Sequence, residues 1–422
     1  MIEIKSFKAL HFNQEKVTDL ARVVCPPYDV ISPAQQNKYY NQSEYNFIRV
    51  LLGKEQPRDT ENKNKYTRAK AVFEQWKKDK VLIRDEKPCL YYYLQDYRVM
   101  GEKYSRLGFI SLMKVQDERG GKIYPHENTH MKAKQDRLKL WQMLSSNLSS
   151  IFVCYSDRHK KAVKIFNKHF RSAKPFINVT DDDGVRHRLW RLEDPGLIRE
   201  IADGLRDQQL FIADGHHRYE VARELKNIKN PKGSKAPKDP AYNYIMTYFT
   251  NMDSRDLKIF PIHRVIRHIA KPLDFLGEFF RVDRISNRDK LAILVAQAGK
   301  NEHAFGLITP REKLLLRLKN KLLIDKHIKS GSVSFRHLDA TILKHLILDR
   351  LGVSSEDITY TKDIGEAARF LDEGKAEAAF IMNPVRIEQL REIALNGERM
   401  PPKTTYFYPK VLSGLTIYHM AE

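Results

Sequence analysis

The 422-residue sequence predicts a mixed α/β (α+β) chain of two domains. Three observations predict it. Short β-rich runs alternate with runs of helical apolar spacing along the whole length. The length exceeds what one hydrophobic core usually organises. After Pro261-Ile262-His263-Arg264 the texture becomes a regular alternation of helix and strand. That shift sets a boundary between 265 and 275 and gives domains 1–265 and 266–422.

Residues 1–24 read as a short strand and an approach loop into Cys25-Pro26-Pro27-Tyr28-Asp29, a stiff bend with a polar tip. Tyr66, Ala69, Val72, Phe73 and Trp76 recur at helical spacing. Residues 89–99 and 104–115 are rich in β-formers and flank Met100-Gly101-Glu102, which predicts a hairpin. Residues 134–144 predict a helix, 151–155 a buried strand, 159–170 a basic helix. Asp181-Asp182-Asp183-Gly184 reads as a turn, because a calcium loop needs alternating oxygen ligands and a distal glutamate. A strand at 185–192, a helix at 195–205, a Lys/Pro/Gly-rich loop at 229–240 and a strand at 242–250 follow. In the second half, 304–309 and 313–318 predict a hairpin. Residues 338–351 predict a helix closed by Gly352, 361–371 another, 378–382 a buried strand, and 384–395 a helix with proline in its first turn.

The formal net charge of +21 would attract polyanions. The basic residues are scattered, and no helix-turn-helix, zinc finger or arginine-aromatic ladder accompanies them, so only weak, non-specific nucleic-acid binding is expected. The three cysteines, Cys25, Cys89 and Cys154, have no paired spacing, which points to a reducing, cytoplasmic setting. No apolar run approaches the roughly 20 residues of a membrane span, and the start has no signal-peptide pattern.

The chemistry concentrates in Ala213-Asp214-Gly215-His216-His217-Arg218-Tyr219-Glu220-Val221-Ala222. An apolar run precedes it and helical spacing follows, so it reads as strand, glycine turn and helix. A helix start presents backbone N–H groups and the positive end of a dipole, which suits a phosphate. His216, His217 and Arg218 add donors there, and Asp214 could bind a metal ion or orient a hydroxyl. The plainer alternative is that Asp214 caps the helix and Gly215 makes the turn. A second cluster is Tyr124-Pro125-His126-Glu127-Asn128-Thr129, an irregular loop before Asp136-Arg137. Glu127 is a candidate general base with His126 second, or the two share a metal; the alternative is a loop organised by Asp136 or Arg137. Tyr28 and Asp29 are candidates for substrate contact, and Cys25 reads as a buried thiol. Lys403 and Lys410, among hydroxyls, could clamp a phosphate or lie solvated on an edge strand.

The string from Asp214 to Arg218 resembles the phosphate-binding loop of the ParB and sulfiredoxin superfamily, and the Asp-Gly-His-x-Arg turn of its free-serine-kinase branch. The resemblance implies that Gly215, His217 and Arg218 contact nucleotide phosphates. His216 stands where sulfiredoxins carry a reactive cysteine, so sulfinic-acid repair is not implied. A longer resemblance carries "VVCPPYDVIS", "YPHENT" with "DRLKL", "LFIADGHHRYEVA", "PIHRV" and "MPPKTTYFYPKVLSGL". By these strings the chain is similar to the domain-of-unknown-function 1015 family, which brings no settled activity.

Together these readings predict a nucleotide-phosphate site at Asp214, Gly215, His216, His217 and Arg218, with Tyr28, Asp29, Arg137, Lys403 and Lys410 as further contacts. The expected activity is Mg²⁺-dependent phosphoryl transfer from ATP or ADP to an unidentified small molecule, or nucleotide hydrolysis, with Asp214 on the metal. No Gly-x-x-x-x-Gly-Lys-Ser/Thr string occurs, which excludes a P-loop enzyme. Two alternatives stand beside it: a nucleotide-gated DNA-binding or scaffold protein of ParB kind, and a metal-dependent hydrolase centred on His126 and Glu127.

Overall fold

The computed structural model describes residues 1–117, 121–129, 131–230 and 239–420. Most of the predicted loop at 229–240 lies outside the described residues. The chain divides into two units. Unit 1 comprises residues 1–124, 129–257 and 409–422, and unit 2 comprises 125–128 and 258–408. A strand of unit 2 spans residues 263–266, and unit 2 takes in 125–128 while unit 1 takes in 409–422.

Unit 1 is built on β1 (Ile4–Lys5), α1 (Pro33–Gln42), α2 (Lys65–Lys78), β2 (Leu90–Val99), β3 (Glu102–Lys114), β4 (Ile123–Tyr124), α3 (Met131–Leu144), β5 (Ile151–Tyr155), α4 (Lys161–His169), β6 (Ile177–Thr180), β7 (Arg186–Leu192), α5 (Pro195–Leu205), β8 (Leu210–Asp214), α6 (His216–Lys229) and β9 (Tyr244–Asn251). Nine strands form one mixed sheet in the order β4-β8-β5-β9-β3-β2-β7-β6, with β1 beside β3. The predicted hairpin is β2–β3. Val99 pairs with Glu102 around Met100 and Gly101, both at positive φ, as a tight loop between twisted strands requires. Among the described residues the parallel pairings of this sheet are β8 with β4 and β9 with β5. Tyr92, Phe109, Phe249, Tyr155 and Trp190 join the apolar faces of α5 and α6 in one buried cluster. At the start of α1, Ser32 and Gln35 close a reciprocal capping box.

Unit 2 contains β10 (Lys258–Phe260), β11 (His263–Ile266), β12 (Phe280–Arg284), α7 (Arg288–Ala298), β13 (Ala304–Ile308), β14 (Lys313–Leu318), β15 (Ile358–Thr361), α8 (Ile364–Asp372), β16 (Ala378–Ile381), α9 (Ile387–Leu395) and β17 (Tyr406–Tyr408). Six of these strands form an antiparallel sheet, β12-β14-β13-β16-β11-β15, and β10 pairs with β17. Side chains alternate between two buried clusters: Phe305, Leu307, Leu316 and Phe380 on one face, Ile308, Leu315, Ala379 and Ile381 on the other. The helix expected over 338–351 is α-helical at Asp339–Ile342, widens to π-helical turns at Leu343–Leu348, and ends near Gly352 at φ +69°. α9 starts three residues after Pro384, at Ile387.

Candidate functional site

In unit 1 the site begins with β8, whose residues Leu210–Ala213 are buried and deliver Asp214 to the sheet's end. Gly215 follows at φ +91° and is the N-cap of α6, with no side chain to offer its amides. Only glycine suits it. A Cβ there would stand 2.9 Å from Ile151 Cγ2 and 3.0 Å from Arg218 Nε, in a backbone conformation that L residues avoid.

Arg218 is almost fully buried and turned beneath the turn. One of its terminal nitrogens reaches Asp214 Oδ2 at 2.5 Å, and the other donates to the Ser150 carbonyl at 2.5 Å and to Ser149 Oγ at 3.2 Å. The guanidinium thus ties together β8, α6 and the segment before β5. Lys410, from the C-terminal segment, donates from Nζ to Asp214 Oδ1 at 2.5 Å. Burial works to protonate Asp214. The charges of Lys410 and Arg218 outweigh it, with His216 adding to them, and hold the carboxyl well below the usual carboxylate range.

Each oxygen of Asp214 accepts from a cation, Arg218 at Oδ2 and Lys410 at Oδ1. Among the described residues no group of three or more His, Cys, Asp or Glu side chains is placed to hold a metal ion.

A second charged cluster in unit 1 lies along α3. Arg137 is buried, binds Asp136 through Nε at 2.9 Å and the Leu51 carbonyl at 2.6 Å, and sets its guanidinium carbon 4.2 Å from the Tyr28 ring centroid. Asp136 also takes Lys65 Nζ at 2.7 Å and the Tyr66 hydroxyl at 2.8 Å. Burial opposes ionisation of Asp136, but Arg137 and Lys65 prevail and bring its pKa to about 2. Tyr28 joins the two clusters. Burial raises its phenol, Asp29 adds to the rise, and the charges of Arg137 and Arg218 oppose it. Asp29 itself is exposed. Cys25 is buried, which pushes its thiol up and removes it as a nucleophile.

His126 and Glu127 belong to unit 2. Glu127 Oε1 accepts the Lys403 backbone N–H at 3.1 Å, and His126 Nε2 lies 3.2 Å from Thr405 Oγ1. Within unit 2 the loop is held by the 400–405 segment, whose Met400 amide donates to the His126 carbonyl at 2.8 Å. Lys403 is exposed, at φ +55°. Lys403 belongs to unit 2 and Lys410 to unit 1.

A family model described as a protein of unknown function, DUF1015, matches residues 4–341. The chain belongs to this family. No curated protein matches it. Among solved structures it is similar to a free serine kinase in complex with AMP, at 15% identity and TM-score 0.34, covering 68% of this chain and 83% of that one. It is also similar to SbnI with C-terminal truncation from Staphylococcus aureus, at 11% identity and TM-score 0.37, covering 72% and 85%. A third is a conserved hypothetical protein from Pyrococcus furiosus, at 14% identity and TM-score 0.33, covering 69% and 89%. At these scores the likeness is distant, and what the turn does follows from its own residues.

Tyr28, Arg137, Asp214, Arg218 and Lys410 converge in unit 1. Residues that the sequence did not single out complete the arrangement. Lys65 and Tyr66 hold Asp136. Arg106, only 1% exposed, donates to the Pro409 carbonyl at 2.5 Å and to Gln95 Oε1, while Gln95 Nε2 donates to the Lys410 carbonyl at 2.9 Å. They pin the backbone on both sides of the Lys410 side chain. Nothing local announces such partners, because an arginine in a β-run reads as solvent-facing.

Proposed function

We propose that unit 1 binds the phosphates of a nucleotide, ATP or ADP, at the Gly215 turn and transfers or hydrolyses a phosphoryl group. The observation that supports this reading most is the paired cation on Asp214. Lys410 and Arg218 share one carboxylate at the start of α6, where the backbone amides and dipole already favour an anion. Arg218 is the positioning residue, locked by Ser149 and Ser150. Lys410 is the partner that phosphate would take: an arriving phosphate competes with Asp214 for its ammonium, and His216 and His217 stand in the same helical turn. Charge neutralisation and positioning are what phosphoryl transfer mainly needs. No step is routed through Mg²⁺.

The test is calorimetric titration of ATP, ADP and CTP, with and without Mg²⁺, into wild-type protein and Lys410→Met. Loss of one charge-assisted contact costs about 1.5–3 kcal/mol, or roughly ten- to hundredfold in affinity. Failure of every nucleotide to bind wild-type protein, or equal affinity in the variant, would overturn the assignment.

A further inference from the structure

In unit 2, β12 is an edge of the six-stranded sheet, and among the described residues it pairs only with β14. The Ile285 amide donates to the Lys313 carbonyl at 2.8 Å, and the Lys319 amide to the Phe279 carbonyl at 2.9 Å. Hydrogen-bonded and non-bonded pairs alternate along an antiparallel ladder. Phe279, Arg281, Asp283 and Ile285 therefore turn their backbone groups toward β14, while Phe280, Val282 and Arg284 turn theirs outward. The Phe280 amide is taken by the Leu276 carbonyl. What is left is an outward row made of the Phe280 carbonyl and both backbone groups of Val282 and Arg284. Such a row is a template for another strand. Residues 281–284 are exposed, the apolar Val282 among them.

The sequence of this edge is its own antiparallel complement. A second copy laid against it about a two-fold axis at Val282 sets Val282 opposite Val282, Phe280 opposite Arg284 and Arg281 opposite Asp283. The outward row matches that register. The two Val282 residues exchange a pair of hydrogen bonds, and each Arg284 amide meets a Phe280 carbonyl. Arg281 with Asp283 is the non-bonded kind of pair, in which side chains come closest. Asp283 gives Oδ2 to Arg317 at 2.9 Å. Among the described residues its Oδ1 and the Arg281 guanidinium have no partner. Within its own sheet Arg281 faces Arg317, a like charge, and a second copy supplies the opposite one. Charged edges keep sheets apart where like charges meet, whereas this register sets unlike charges opposite.

We propose that β12 is a self-association edge, through which two copies of this chain join their six-stranded sheets as antiparallel strands centred on Val282. None of its residues takes part in the nucleotide reading, and the two stand or fall separately. Sedimentation velocity on the full chain over a concentration series tests it, with circular dichroism to follow the fold of each variant. Wild-type protein should pass from monomer to dimer as concentration rises. Arg281→Asp and Asp283→Arg each set like charges opposite at both ends of the contact, and each should weaken self-association by at least about tenfold. Mixed together, the two variants again set unlike charges opposite, so a heterodimer should form with near wild-type affinity. Val282→Pro removes an outward amide and leaves the ladder with β14 intact, so it should abolish dimerisation with the fold retained. Wild-type protein that stays monomeric up to about 1 mM, association unchanged in Val282→Pro or in both charge variants, or a mixture of those variants that fails to associate would overturn the proposal.

Discussion

Asp214→Asn should lower stability and strengthen nucleotide binding at once, an opposition that distinguishes this site from an ordinary buried ion pair. The side chains of Asp214, Arg218 and Lys410 are 12%, 3% and 11% exposed. The substitution leaves two nearly buried cations without their counterion, and breaking a buried pair in this way costs about 3–5 kcal/mol. At about 2–4 °C per kcal/mol for a large domain, the midpoint of thermal unfolding should fall by about 6–20 °C. Lys410→Met, which leaves Asp214 with Arg218, should cost less, and combining the two should cost less than their sum because they share a partner. In Asp214→Asn the Lys410 ammonium no longer has a competitor for phosphate, so saturating ATP should raise the melting midpoint by more than in wild-type protein. Differential scanning calorimetry with and without ATP is the assay. A midpoint within about 1 °C of wild type, or a smaller ATP-induced rise, would refute the reasoning.

Gly215→Ala should destabilise by about 1–2 kcal/mol from the left-handed backbone alone, and more from the contacts with Ile151 and Arg218; urea unfolding measures it, and a neutral result would contradict the turn geometry. Asp136 and Asp214 have folded pKa values below their unfolded ones, so each contributes stability that is present above about pH 4 and lost as pH falls through the folded value. Lys65→Met should therefore move acid unfolding of unit 1, followed by circular dichroism, to higher pH. DNA binding, read by fluorescence anisotropy on random and genomic duplexes with and without nucleotide, should be weak, indifferent to sequence and gone by about 0.2 M salt. Tight nucleotide-dependent binding to one sequence would favour the ParB-like alternative instead.

The sequence by itself determined the elements around the site. An apolar run, Asp-Gly and helical spacing specify strand, left-handed turn and helix, and β8, Gly215 and α6 follow that order. The β2–β3 hairpin and α5, with proline in its first turn, were legible for the same reason: their signals lie within a few residues of the conformation they set. Which side chain meets which was decided only by the tertiary structure. Arg218 reads as a phosphate donor beside a glycine turn, but Ser149 and Ser150, at the entry to β5 beside β8, give its guanidinium a nearer set of acceptors. Lys410 reaches Asp214 across 196 residues, and the 125–128 segment joins unit 2 while its flanking residues stay in unit 1. Local pattern fixes backbone conformation through sterics and burial period, whereas a buried charge takes whichever partner sheet order and chain closure bring within reach, and that partner leaves no mark in its own neighbourhood.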